Sequence, residues 1–179
     1  MQMARKYTVR TGYTLIEMLM TLVLIGILAA IAYPSYRAVM QNIRVDAITN
    51  DFMSSLSYAR SEALKRDESI SICAAADSSL TSCGNSTNWA NGWIIFVDSD
   101  ADGVIATSSD RLKTHNALDS GSLISSTLAA ITYNRSGFLS AGIGSFTITV
   151  PGCSGNGAKL ITLSATGRAS ITSTACTLP

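Results

Sequence analysis

From Leu15 to Tyr33 the chain carries about 19 residues with a single charged side chain, Glu17. As a helix that run is roughly 28 Å long at about 1.5 Å per residue, close to the roughly 30 Å of a bilayer's hydrocarbon core. A charge near the bilayer centre costs roughly 2.5–3.5 kcal/mol on insertion scales, so Glu17 needs a partner or a function. Arg5, Lys6 and Arg10 precede the run with no acidic residue among them. That asymmetry predicts one pass through a membrane, with the N-terminus cytoplasmic and the globular remainder facing the periplasm.

The chain has 179 residues, 47% of them hydrophobic, enough for one span and one domain of about 140 residues with a real core. Net charge is +1, from thirteen basic and twelve acidic residues. Three of the basic residues and none of the acidic ones lie in residues 1–12, so the remainder carries −2. That balance offers no general attraction for DNA or anionic lipid, and any nucleic-acid site must be local. The four cysteines, Cys73, Cys83, Cys153 and Cys176, all fall in the exported part, where two disulfides are expected. Cys73–Cys83 and Cys153–Cys176 are favoured among three possible pairings, because each pair brackets a local, loop-rich stretch. No C-x-x-C element supports zinc instead.

Past Pro34 the pattern turns amphipathic. Tyr36, Met40, Ile43, Ala47, Phe52, Leu56, Ala59 and Ala63 recur mostly at three- and four-residue spacing, which predicts that the helix continues to Arg66-Asp67 with one face packed on a domain. From Tyr13 that is about 54 residues, or roughly 80 Å of helix. Asp46 and Asn50, and Glu62 and Arg66, are i,i+4 neighbours on it. Strands are predicted at 69–72, 93–97, around 130–133, at 145–150, at 159–164 and at 169–172, from alternation or continuous apolar runs. Glycine, serine and asparagine mark the gaps at 84–91, 120–126 and 152–157.

The string Gly12-Tyr13-Thr14-Leu15-Ile16-Glu17, behind a basic leader and ahead of an apolar run, resembles the processing site of type IV prepilins and type II secretion pseudopilins. The resemblance implies cleavage by prepilin peptidase after Gly12 and N-methylation of Tyr13, a position where most members carry Phe. Gly26 and Pro34 match the family's helix as well. It further implies that the Glu17 carboxylate meets the N-terminal amine of a neighbouring subunit, pairing two charges in apolar surroundings where a lone charge is penalised. Tyr13 and Glu17 are separated by roughly 6 Å of helix, which sets Glu17 about one turn inside the membrane interface.

Further along, Tyr58-Ala59-Arg60-Ser61-Glu62-Ala63, Asn91-Gly92-Trp93-Ile94-Ile95-Phe96-Val97-Asp98, Asn134-Arg135-Ser136-Gly137-Phe138 and Thr166-Gly167-Arg168 follow in order. This series is similar to the GspH/FimT group, which includes FimT/FimU-type minor pilins and the H-type minor pseudopilin. The implied fold is α+β and pilin-like, a long N-terminal helix packed on two antiparallel β-sheets. The organisation is then a leader at 1–12, a transmembrane and assembly helix at 13–34, its amphipathic half at 35–67, and a β-rich periplasmic part at 68–179. The implied role is a minor pilin that helps initiate or cap pilus assembly, with an H-type pseudopilin of type II secretion as the alternative. The implied partners are prepilin peptidase, other pilins or pseudopilins, and the inner membrane.

Competing readings attach to several motifs. Ala30-Ile31-Ala32 has the small-x-small form of an ordinary signal peptide releasing a protein from Tyr33; Glu17 and the continuing helical periodicity oppose it. A plain single-span anchor with an incidental Glu is the other simple reading. Asp98, Asp100 and Asp102 with Gly103 form the first half of a calcium loop, but Ser109 stands where a bidentate Glu is needed. A turn after the Trp93 strand is therefore favoured. FimT proteins of naturally transformable bacteria hold DNA through a C-terminal G-R-x-R element. Here Gly167 and Arg168 match while Ser170 occupies the second arginine position, which weakens phosphate binding. Lys159 and Arg135 could assist Arg168 if the fold gathers them, giving DNA uptake as a second alternative. His115, the one histidine, is read as a solvent-facing loop residue, and no G-x-S-x-G elbow or phosphate loop accompanies it, so no enzyme is expected. Trp89 and Trp93 suggest either a carbohydrate platform or core packing.

Overall fold

The computed structural model describes residues 12–84, 87, 89–119 and 121–176. By its internal packing the chain divides into two units, residues 1–37 and 38–179. One helix, α1 (Leu15–Arg66), begins in the first unit and supplies the only helix of more than one turn among the described residues of the second.

In the first unit the helix is apolar on every side. Leu15, Leu22, Leu28 and Ile31 are all exposed, with no protein packed against them. Such a helix has no buried face of its own and calls for lipid or other helices. Among the described residues it is the one helix long and apolar enough to cross a membrane.

The second unit is built from the remainder of α1 and nine strands: β1 (Ile70–Ala74), β2 (Trp93–Val97), β3 (Arg111–His115), β4 (Leu123–Ser126), β5 (Ala130–Tyr133), β6 (Leu139–Ala141), β7 (Gly144–Thr149), β8 (Ala158–Leu163) and β9 (Ala169–Thr174). They form a five-stranded sheet in the order β3-β2-β1-β5-β6 and a four-stranded sheet in the order β4-β7-β8-β9. All pairings are antiparallel. The fold is thus the expected helix on two sheets.

Phe52 shows how the helix joins both sheets. Its ring meets Trp93 of β2 edge-on at 5.3 Å and lies 5.0 Å from Phe146 of β7, with Trp89 at 5.5 Å. Both indoles are fully buried and both N–H groups are satisfied, Trp93 donating to Ser55 Oγ at 2.9 Å and Trp89 to the Leu128 carbonyl at 2.9 Å. A carbohydrate platform is therefore excluded: the indoles are core.

The five-stranded sheet is covered on both sides, which explains why β2 is apolar without alternation. Ile72, Trp93, Ile95 and Ile131 join the main core with the helix. Cys73, Ile94 and Phe96 join a second cluster with Ala75 and Leu80, under the loop that the Cys73–Cys83 disulfide closes. The second disulfide joins Cys153 to Cys176.

Four details depart from the sequence reading. The buried stripe of the helix is Val45, Ile48, Phe52, Leu56, Ala59 and Ala63, while Ile43 and Ala47 are exposed. Asp46 does not serve Asn50 but pairs with Lys159 of β8 at 3.3 Å. β3, β4 and β6 lie outside the strands that the sequence predicts, and β4 falls within the 120–126 gap. Each of these short strands holds its place by pairing with a stronger neighbour: β3 with β2, β4 with β7, and β6 with β5. Finally, His115 ends β3 rather than sitting in a loop. Its ring stacks on Trp93 at 3.9 Å, with Nε2 3.6 Å from Asp51 Oδ2.

Candidate functional site

The start of α1 is organised by a reciprocal pair. Gly12, Tyr13 and Thr14 precede the first helical residue, so the bond between Gly12 and Tyr13 lies in non-helical backbone beside an exposed tyrosine. The first backbone N–H groups of a helix lack intrahelical partners. The Thr14 hydroxyl oxygen accepts the Glu17 N–H at 3.3 Å, and Glu17 Oε2 accepts the Thr14 N–H at 3.0 Å and its hydroxyl at 3.1 Å. This is a capping box, two donors satisfied by two side chains three residues apart. Thr14 is not among the site residues expected from the sequence, although the T-x-x-E spacing ahead of an apolar run signals it. Within a single chain, Glu17 is thus already hydrogen-bonded.

A second candidate region forms where two turns meet the helix. In the β5–β6 turn, Asn134 Oδ1 accepts the N–H groups of Ser136 at 2.9 Å and Phe138 at 3.1 Å. In the β8–β9 turn, the Ser164 N–H donates to the Arg168 carbonyl at 3.0 Å. The Leu139 N–H reaches the Ala165 carbonyl at 3.0 Å and ties the two sheets together there. Gly167 has φ of +75°, and a Cβ on it would lie 2.4 Å from the Gly137 carbonyl oxygen, so only glycine allows the turns this contact. The Arg60 guanidinium then donates to the Gly167 carbonyl at 3.3 Å.

This packing places Arg135 and Arg168, both exposed, on adjoining turns. No carboxylate pairs with Arg168 among the described residues. Lys159 does not join them. It lies near the start of β8 and is held by Asp46 and by Ser173 Oγ at 3.3 Å. Ser170 turns its hydroxyl toward the Thr162 carbonyl at 3.5 Å.

Asp98, Asp100 and Asp102 bring carboxylate oxygens within 4.8 Å of one another. Asp98 is buried, and its oxygens accept the N–H groups of Asp102 at 3.2 Å and Gly103 at 3.0 Å and the Ser71 hydroxyl. Burial pushes its carboxyl above the ordinary value, against the opposing pull of Ser71 and Gly103. Calcium takes six to eight oxygens; here the innermost carboxylate is engaged by its own loop, an arrangement that fits a turn better than a cation cage. We therefore expect 1 mM CaCl2 or EDTA to leave the thermal midpoint of the protein unchanged within about 1 °C. A calcium-dependent rise of several degrees would assign an ion to the loop, since binding to the native state alone stabilises by mass action.

These observations define the class: a helix-anchored, pilin-fold subunit whose distinctive chemistry lies at the helix start. Residues 49–167 match the family model described as type II transport protein GspH, and residues 8–33 match the prokaryotic N-terminal methylation motif. The chain belongs to the GspH family. Two crystal structures of the type IV minor pilin FimU from Pseudomonas aeruginosa strain PAO1 are similar in fold. One is 23% identical with a TM-score of 0.56, covering 72% of this chain and 87% of that one. The other is 23% identical with a TM-score of 0.54, covering 71% and 91%. No curated protein matches the chain. Pilins and pseudopilins are structural proteins, so the chain is not an enzyme. Its apolar N-terminal helix and methylation motif are those of a membrane-anchored pilin that is processed by prepilin peptidase and assembles with other pilins.

Proposed function

We propose that the chain is a minor type IV pilin that helps initiate or cap pilus assembly. The supporting observation is the fold likeness to a type IV minor pilin, seen in two crystal forms. Prepilin peptidase cuts between Gly12 and Tyr13 and the Tyr13 amine is methylated, with the N-terminus cytoplasmic and the second unit periplasmic. Glu17 then takes the amine of a neighbouring subunit in the filament.

The family description favours one alternative, an H-type pseudopilin of type II secretion. A second, DNA capture for transformation, draws on Arg168 and Arg135, two exposed cations on adjoining turns. A deletion strain scored together for surface pili, twitching, secreted exoenzymes and transformation separates the three. Loss of pili and twitching with secretion intact is the expected result. Normal pili with secretion lost moves the chain to the secretion machine, and loss of transformation alone moves it to DNA uptake. Mass spectrometry of the mature protein should place its N-terminus at methylated Tyr13; an N-terminus at Tyr33 rejects the prepilin reading.

A further inference from the structure

Beside the contact of Arg60 with Gly167 lies a cavity of about 350 Å³, within the second unit, between the helix and the β8–β9 turn. Its lining is apolar at Met53, Leu56, Leu64 and Ala169, polar at Ser57 and Ser61, and basic at Arg60, whose guanidinium also holds the Gly167 carbonyl, and at the exposed Arg168. No acidic side chain lines it among the described residues. Tyr133, from β5 and only 1% exposed, also lines it, and no hydrogen bond engages the Tyr133 hydroxyl among the described residues. Burial pushes that phenol up to about 12, so it stays protonated and able to donate.

Two guanidinium groups and a free phenolic donor beside an apolar floor ask for an anion attached directly to apolar groups. Guanidinium groups pair with carboxylates through parallel N–H donors, and the volume is that of a small-ligand pocket. A nucleic-acid backbone would instead call for a track of cations and exposed stacking rings. Among the described residues only two cations line the cavity, Lys159 is engaged elsewhere, and the one aromatic ring is buried. We infer that this cavity is a binding site for an acidic peptide segment of a partner protein, in which a carboxylate adjoins apolar side chains. Arg168 and the Tyr133 hydroxyl hold the carboxylate, and the apolar neighbour rests on Met53 and Leu64. The site is independent of which filament the chain enters.

The test uses the full-length chain in detergent with labelled methionine methyl groups. Met53 lines the cavity while Met40, exposed on the same helix, serves as internal control. The probes are the blocked peptide acetyl-Leu-Glu-Leu-amide, its Gln counterpart, and hexathymidylate. The Glu peptide should shift the Met53 resonance saturably and leave Met40 unmoved, with the Gln peptide at least tenfold weaker. Arg168→Gln, at an exposed turn position, should weaken binding about tenfold with the thermal midpoint unchanged. Tyr133→Phe, which keeps the ring and removes only the hydroxyl, should weaken it several-fold. No Met53 shift, equal affinity for the two peptides, or full affinity in both variants overturns the site. Tighter binding of hexathymidylate than of the Glu peptide overturns it in favour of nucleic acid.

Discussion

Phe52→Ala is expected to destabilise the second unit by about 3–5 kcal/mol, the usual cost of emptying a buried aromatic site. Phe52 is fully buried and its ring touches Trp89, Trp93 and Phe146, so it is shared by the helix and both sheets. The void cannot close by movement of one element alone. Thermal or urea unfolding of the full chain in detergent, followed by tryptophan fluorescence, reads the loss directly, since both indoles line the site. Ile43→Ala is the paired control. That side chain is 54% exposed, so its truncation should fall within about 0.5 kcal/mol of wild type. Equal losses at the two positions would mean that the buried stripe has been assigned to the wrong face.

The second large effect concerns Glu17, which caps the helix start and, on the proposed function, also pairs with a neighbouring subunit's amine, two roles that one substitution can separate. Glu17→Gln keeps an oxygen able to accept the Thr14 N–H, because glutamine also completes a capping box, but it removes the charge. Cleavage after Gly12 and membrane insertion should therefore proceed as in wild type, while incorporation into filaments falls at least tenfold for want of an ion pair with the neighbouring amine. Sheared filaments and membrane fractions, probed for this subunit, give the ratio. Thr14→Val removes the cap and retains the charge, and should leave incorporation much closer to wild type. If Glu17→Gln enters filaments normally while Thr14→Val does not, the acid acts through the helix start and the intersubunit pair is dispensable.

Much of the fold was legible because burial writes itself into composition. β2 is continuously apolar since both its faces are covered, and β5 stood out for a similar reason. β3 could not be seen in Arg111-Leu112-Lys113-Thr114-His115, an edge strand with one apolar residue, which forms because β2 offers it an unpaired backbone edge. The helix stripe misled for a different reason. Tyr36, Met40, Ile43 and Ala47 are spaced consistently, yet the next member, Phe52, is five residues on. The buried series from Val45 through Ile48 to Ala63 keeps steps of three and four throughout. That five-residue step marks where one apolar face ends and another begins. The processing string was legible as a local motif. The cavity was not, since Arg60 meets Gly167 across 107 positions of sequence.

The Cys153–Cys176 bond gives the four-stranded sheet a direction of failure. It joins the turn before β8 to the segment after β9, closing a loop of 23 positions around that hairpin. In chain-entropy terms such a closure is worth about 3 kcal/mol. At the opposite end, the β8–β9 turn is held by Arg60 and Leu139. The hairpin is therefore fastened at both ends, whereas the other edge strand, β4, has four residues and no covalent tie. Under thermal or mechanical load the sheet should open from β4 inward, with the hairpin the last part to separate from the helix.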